Sequence, residues 1–283
     1  MKILITGANG MLAKDLIEVL SSDNELLLTD KDTLDITDEG EVNYFLYKNE
    51  PDLVINCAAY TLVDQAEELT ERDLVWDINS IGVYNLSKYC AYNNIKFVQY
   101  STDYVFDGKK KDGYVEEDEP SNPVNLYGTT KLKAEEYIMK FAQERKNFVY
   151  YIFRISWLYG KGGKNFVDTM LNLAKDKKEL NIINDQFGSP TYTLDVAKRT
   201  KYILDKNLAK GIYHLTNEGE TTWYQFASQI FKSRKINIKL NPIKSSEYKT
   251  LAKRPKYSLL LNTKIEPKMR MWSLALEDYL NSK

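Results

Sequence analysis

The chain has 283 residues, 43% of them hydrophobic and 28% charged, with a formal net charge of −1. That length buries a large core, as one big domain or two unequal ones, and the near-zero charge gives no field to recruit nucleic acid or an anionic membrane. No apolar run reaches about 18 residues, and a strand pattern starts at residue 2 where a signal peptide would lie, so a cytoplasmic protein with no membrane or nucleic-acid partner is expected.

MKILITGANGMLAKDLIEVL reads as strand, glycine turn and amphipathic helix, with the strand over 2–6 and the helix over 11–21. Gly7 and Gly10 let the backbone turn tightly and approach a pyrophosphate, and the helix presents its first amides to it. The spacing is G-x-x-G-x-x-A rather than G-x-G-x-x-G; Ala13 is still small enough for close helix–strand packing. A second apolar strand over 26–29 leads to Asp30, where an acid is expected to hold the ribose hydroxyls of a dinucleotide. A helix follows at 38–48, a strand at 53–57 containing Cys57, and a long helix at 72–93 containing Cys90. Both cysteines read as buried free thiols of a reducing compartment.

The next strand, 96–100, ends at Ser101 and Thr102. After a loop, LYGTTKLKAEEYI opens a helix over 127–145, and a strand follows at 149–154. Tyr127 and Lys131 lie four apart on that helix and face the same way. The ammonium is expected to lower the phenol's pKa from its reference near ~10, making Tyr127 a proton donor for a carbonyl. Such a device is needed because the chain has one histidine, His214. Six Tyr-x-x-x-Lys pairs occur, and only the position behind a hydroxyl-bearing strand end singles out Tyr127. The acidic run Glu116–Glu119 and the lysines 109–111 read as solvated loops. No metal-ligand cluster stands out.

Alternation of strands and helices through residue 155 predicts an α/β fold, a Rossmann-type doubly wound parallel sheet with helices on both faces. Ligands then bind beyond the C-terminal strand ends, where Gly7, Asp30, Ala58, Thr102 and Arg154 fall. After 155 the pattern loosens into a helix at 165–176, a loop at 184–193, a helix at 194–206, and a strand–turn–helix from Tyr213. The expected division is an NAD(P)-binding domain over 1–154, with 190–207 returning to it. A smaller C-terminal substrate-binding α/β domain over 155–283 would fold over the strand ends.

These residues together resemble the extended short-chain dehydrogenase/reductase superfamily, and within it the dTDP-4-dehydrorhamnose reductase family. The general marks are TGANGMLA at 6–13, NCAAYTLVDQAE at 56–67, NSIGVYN at 79–85 and the Tyr127/Lys131 pair. More specific are STDYVFDG at 101–108, RISWLYG at 154–160, NDQFGSPTYT at 184–193, YHLTN at 213–217, TTWYQFA at 221–227 and RPKYSLL at 254–260. The resemblance implies reduction of the C4 ketone of dTDP-4-dehydro-L-rhamnose by NADH or NADPH, giving dTDP-L-rhamnose for cell-surface polysaccharide. It implies that Gly10, Met11 and Leu12 meet the pyrophosphate, Asp30 the adenosine ribose, and Asp35 with Ile36 the adenine. Ala59, Tyr60 and Thr61 line the path to the nicotinamide, whose ribose contacts Tyr127 and Lys131. Asn79 holds a proton-relay water. Thr102 and Asp103 meet the sugar, Val63, Tyr104 and Trp157 line its pocket, and Arg254 suits a diphosphate through its planar fork of donors.

Asp30 favours free ribose hydroxyls, while Lys31 and Lys14 stand ready for a 2′-phosphate. A monomer or weak homodimer is expected, since no full set of metal-binding acids is matched for the metal-linked dimer of some relatives. Two other functions stay open: reduction of a related nucleotide-linked 4-keto sugar, and a non-catalytic regulatory subunit of the methionine adenosyltransferase type. The intact Thr102/Tyr127/Lys131 set argues against the latter.

Overall fold

The computed structural model describes residues 1–283. In the first half, β1 (Lys2–Thr6), α1 (Met11–Leu20), β2 (Glu25–Leu28), α2 (Glu39–Asn49) and β3 (Leu53–Asn56) follow the expected alternation. A long helical run comes next: α3 (Arg72–Trp76), a π-helical turn (Asp77–Ile81) and α4 (Gly82–Tyr92). Then come β4 (Lys96–Thr102), α5 (Leu126–Glu144) and β5 (Tyr150–Ile155). The second half holds β6 (Leu158–Tyr159), α6 (Phe166–Asp176), β7 (Glu179–Ile183), β8 (Phe187–Gly188), β9 (Thr191–Tyr192) and α7 (Thr193–Asp205). It ends with β10 (Gly211–His214), β11 (Thr221–Thr222), α8 (Trp223–Ser233), β12 (Lys239–Ile243) and α9 (Trp272–Asn281).

Six parallel strands form one sheet in the order β2-β1-β3-β4-β5-β10. Its central members are buried along their length, LVIN in β3 and YYIFRI in β5, as a sheet covered on both faces requires. One face packs on α1 and α7 through Leu16, Leu20, Val196 and Ile203. The other packs on α2, α4 and α5 through Leu46, Leu86, Ile138 and Phe141. The chain reverses direction across the sheet between β1 and β3, and that switch point is where a doubly wound sheet opens a ligand crevice. Helix α7 packs on α1, and the next strand, β10, joins the sheet beside β5 with His214 opposite Arg154. The sixth strand therefore comes from the second half.

The π-helical turn interrupts a helix that reads as continuous in sequence. Its extra residue turns Asn79 and Ser80 inward, where Ser80 Oγ donates to Thr130 O at 2.8 Å and ties the turn to α5. The rest of the second half has its own core, including Tyr159, Tyr192, Phe226 and Tyr279 between α6, α8 and α9. It is flanked by a parallel ribbon of β7 and β12 that the sequence reading did not anticipate.

An extended strap over residues 252–263 joins the halves. Tyr257 N donates to Gly108 O at 3.1 Å, Ser258 N to Phe187 O at 2.8 Å and Leu261 N to Tyr114 O at 2.8 Å. Glu116, expected in solvent, is buried here: it accepts from Thr263 Oγ1 at 2.6 Å and Thr263 N at 3.1 Å. Of its neighbours in the acidic run, Glu117 and Glu119 are exposed, while Asp118 is half-buried and accepts from Val115 N at 2.8 Å. Cys57 and Cys90 are free thiols; Cys90 is buried and Cys57 half-buried. No helix is long and apolar enough to cross a membrane.

Candidate active site

The turn after β1 sits at the switch point. Gly7 has φ +62°, and a Cβ there would stand 2.7 Å from Ala58 N, so glycine lets the β1 and β3 ends meet. Gly10 caps α1 in extended geometry with no side-chain cap, and the first turn carries no acid. The leading amides at Met11 and Leu12 are thus unclaimed by any side chain, which fits a dinucleotide pyrophosphate. Asn9 Nδ2 donates to Asp30 Oδ2 at 2.7 Å, linking this turn to the end of β2. The Thr33 hydroxyl and the Asp32 amide also bond Asp30 and hold its carboxyl below the usual range. Asp35 is exposed beyond it. Ile36 is not: it is buried in the core against Gly82, where a Cβ would come within 2.6 Å of its side chain. Its side chain packs inward, and its carbonyl accepts from Asn85 Nδ2 at 3.0 Å.

Ala59, Tyr60 and Thr61 follow β3 along the crevice. Asn79 Oδ1 accepts from Tyr60 N at 2.9 Å, and its Nδ2 donates to Tyr60 O at 3.1 Å and Thr130 Oγ1 at 3.3 Å. The amide expected to hold a relay water is engaged in fixing the Tyr60 backbone.

Helix α5 starts under Asn125, whose Oδ1 accepts from Gly128 N at 2.8 Å and whose Nδ2 donates to Lys253 O at 2.8 Å. A Cβ on Gly128 would fall 2.2 Å from Tyr104 O, so glycine brings the helix against the segment after β4. There Thr102, Asp103 and Tyr127 come together. Thr102 Oγ1 donates to Asp103 Oδ1 at 3.0 Å, while Asp103 Oδ2 is buried without a partner. Burial pushes the Asp103 carboxyl up to about 7 against the pull of Ser258 and Thr102.

The Tyr127 phenol is raised, not lowered: burial dominates, the Asp103 charge adds to it, and the Thr102 hydroxyl only partly offsets both. Lys131 does not reverse this. Its ammonium turns inward and donates to Tyr100 O at 2.6 Å. Burial brings its pKa down to about 8, with Glu135 opposing. In three other Tyr-x-x-x-Lys pairs, at Tyr44, Tyr84 and Tyr279, the lysine lies over its tyrosine ring.

Toward the second half, Tyr104 stands edge-on to Tyr127 with ring centres 6.1 Å apart. Arg254 lies beside it, and its two terminal nitrogens bond Asp64. The expected diphosphate partner is thus already paired. Trp157, at φ +46°, stacks flat on Trp223 at 3.6 Å. A Cβ on Gly188 would meet the Trp157 indole at 2.7 Å and Ser258 Oγ at 2.9 Å, so that glycine gathers Trp157 and the strap. Val63 is half-buried on the loop that carries Asp64. Asp64, Glu67, Asn125, Gly128 and Ser258 escaped the sequence reading as site-forming residues. Glu67 Oε1 accepts from Leu126 N at 2.8 Å and anchors the start of α5. All but Asn125 lie within or between the residues that carry the resemblance, but their partners are far away in the chain.

A phosphate-accepting turn at the switch point, facing a Thr–Tyr–Lys cluster beyond β4, defines a dinucleotide-binding oxidoreductase fold of the short-chain dehydrogenase/reductase type. The chain belongs to the RmlD substrate binding domain family, whose model matches residues 1–283. It is 37% identical over 286 residues to the spore coat polysaccharide biosynthesis protein SpsK of Bacillus subtilis (strain 168), covering 100% of this chain and 98% of that protein. A dTDP-4-dehydrorhamnose reductase structure from Clostridium acetobutylicum ATCC 824 matches with TM-score 0.92 and 42% identity, covering 100% of this chain and 99% of that one. The dTDP-4-dehydrorhamnose reductase of Bacillus anthracis str. Ames, solved in complex with NADP, matches with TM-score 0.93 and 38% identity, covering 100% and 99%.

Proposed function

We propose that the protein reduces the C4 ketone of dTDP-4-dehydro-L-rhamnose to give dTDP-L-rhamnose, using NADH or NADPH. The observation that carries this reading is Thr102, Asp103 and Tyr127 gathered beyond the end of β4, beside an uncapped α1 N-terminus at the switch point. Relatives named as dTDP-4-dehydrorhamnose reductases support the substrate, and the relative named for spore coat polysaccharide biosynthesis supports the destination of the product. A reduced nicotinamide bound here supplies the hydride to C4. Met11 and Leu12 amides take its pyrophosphate, Asp30 its adenosine ribose, and Asp35 flanks its adenine.

Thr102 turns its hydroxyl from Asp103 Oδ1 to donate a hydrogen bond to the ketone oxygen, and Tyr127 delivers the proton to it as negative charge develops. Burial keeps the Tyr127 phenol protonated across the working pH range. Lys131 supplies positive charge to the nicotinamide ribose side. Asn79 fixes the Tyr60 backbone at the edge of that pocket. Val63, Tyr104 and Trp157 shape the sugar pocket, and Arg254 takes the diphosphate by exchanging Asp64 for it. Residues 155–283, apart from α7 and β10, serve the nucleotide sugar. Holding donor and ketone in place contributes ~7–11 kcal/mol toward the barrier. The setting is the cytoplasm, where nucleotide sugars are made.

The test is NADH oxidation with a panel of dTDP- and other nucleotide-linked 4-keto sugars, with the product's C4 configuration read by NMR. Turnover of dTDP-4-dehydro-L-rhamnose to the rhamno product is expected. No turnover with any 4-keto sugar would overturn the reading.

A further inference from the structure

Behind Lys131 the sheet carries a buried charge network that the reaction as described does not use. Glu135 lies one turn further along α5 and is 3% exposed; Arg154 on β5 is 0% exposed. Arg154 binds Glu135 through two nitrogens, Nη2 to Oε2 at 2.7 Å and Nε to Oε1 at 3.1 Å. Ser101 Oγ, at the end of β4, donates to the same Oε1 at 2.5 Å. The remaining Arg154 nitrogen, Nη1, faces His214 Nε2 at 3.5 Å, while His214 Nδ1 meets Leu261 O at 3.1 Å. A carbonyl can only accept, so Nδ1 carries the proton, Nε2 is bare, and the imidazole is neutral.

We propose that Glu135 is a positioning residue for the reduction: fixed in place by Arg154, it holds the Lys131 ammonium, one turn back on α5, charged and aimed at the Tyr100 carbonyl, while Arg154 tempers its pull. The proposal rests on the role given to Lys131 above. A buried ammonium with no partner charge loses its proton or moves to water. Lys131 makes no ion pair; Glu135 turns its oxygens to Arg154 and Ser101 instead. Glu135 thus acts on Lys131 at a distance, its attraction tempered by Arg154 behind it. The groups facing Lys131 are few. Helix α5 offers Glu135 and Tyr127, and β3 ends at the Cys57 thiol. Strand β4 offers the Tyr100 carbonyl and Ser101, followed by Asp103. Strand β5 offers Arg154, backed by neutral His214 on β10. The π-helical turn brings neutral Asn79 and Ser80, with Asp77 exposed to solvent.

The two charges have opposite signs, so their removal must act on Lys131 in opposite directions, which no purely structural role would produce. The full-length protein is labelled with 13C at lysine Cε and titrated by NMR; the resonance missing from Lys131→Met is that of Lys131. Glu135→Gln is expected to lower its midpoint and Arg154→Met to raise it, each by on the order of one pH unit. Breaking a buried pair from one side is destabilising. The double variant Glu135→Gln/Arg154→Met removes both charges and is expected to fold and return the midpoint toward wild type. Midpoints that stay put, or move in the same direction in both single variants, overturn the proposal. The alkaline limb of kcat/KM is expected to follow the NMR midpoint. Should the midpoints diverge while that limb stays fixed, the role given to Lys131 fails, and not the coupling.

Discussion

Asp64 and Arg254 meet through two N–O contacts of 2.5 Å, one from each terminal guanidinium nitrogen, across 190 residues of chain. The pair ties the loop after β3 to the strap that covers the strand ends, and Ala252 N donates to the same carboxylate at 3.1 Å. The paired carboxylate holds the two oxygen positions that a diphosphate would offer the same fork.

Arg254→Ala is therefore expected to raise KM for the nucleotide sugar by roughly 10-fold or more, the scale of a lost charge-assisted hydrogen bond. NADH affinity should hardly change. Asp64→Asn removes the competitor while keeping an acceptor for Ala252 N, and is expected to lower that KM. Steady-state kinetics on both variants decide the matter; a KM unmoved in each removes Arg254 from the diphosphate.

Tyr127→Phe is expected to lower kcat by at least ~10²-fold, the scale of losing a general acid, with cofactor affinity little changed. Because burial and Asp103 raise the phenol, its ionisation should not limit activity on the alkaline side. That limb should instead lie near the value of about 8 to which burial brings Lys131. Near wild-type turnover by the phenylalanine variant would show that another group gives the proton.

Trp157→Ala is expected to raise KM for the nucleotide sugar and leave NADH binding nearly intact. The indole lies flat on Trp223 at 3.6 Å, so stability should also fall by about 0.5–1.5 kcal/mol for the lost stacking, plus the lost area. A lower Tm with an unchanged KM would make Trp157 a packing residue alone.

NADH is expected to serve at least as well as NADPH. Asn9 holds Asp30 just beyond the end of β2, where the proposed reading puts the adenosine ribose. Lys14, one of two lysines read as ready for a 2′-phosphate, donates to Gly162 O at 2.9 Å, while Lys31 stays exposed. A preference for NADPH above ~100-fold in kcat/KM, or ~2.7 kcal/mol, would mean that Asp30 turns away from the ribose.

His214 makes stability depend on pH. Burial and the Arg154 charge depress its folded pKa to about 3 from an ordinary 6.5. Below 6.5 the unfolded chain takes up a proton that the native state refuses, so this contribution is present above 6.5 and is lost as pH falls toward 3. The chain has one histidine, so the effect is assignable. Urea unfolding of wild type and His214→Gln at pH 7 and pH 5 should show the stability gap between them narrowing at pH 5. An equal gap at both pH values would show that His214 titrates normally.

Local chemistry determined what the sequence could tell by itself. Apolar periods and glycine spacing placed β1 through β5 and their helices within a residue or two, because such elements answer to neighbours one to four positions away. The Gly7–Gly10 turn, Asp30 at a strand end and the Thr102/Tyr127/Lys131 spacing were legible for the same reason, and the longer motifs pointed to the family. Tertiary structure alone decided what depends on distant partners. It enlisted β10 as the sixth strand, buried Glu116 under Thr263, placed a π-helical turn at Asn79, and paired Asp64 with Arg254. It also reversed the expected effect on Tyr127. Four-residue spacing puts a lysine on the same helix face, but only packing decides that its ammonium turns to Tyr100 while burial and Asp103 govern the phenol. Burial and long-range charge are properties of the assembled sheet, and no window of sequence contains them.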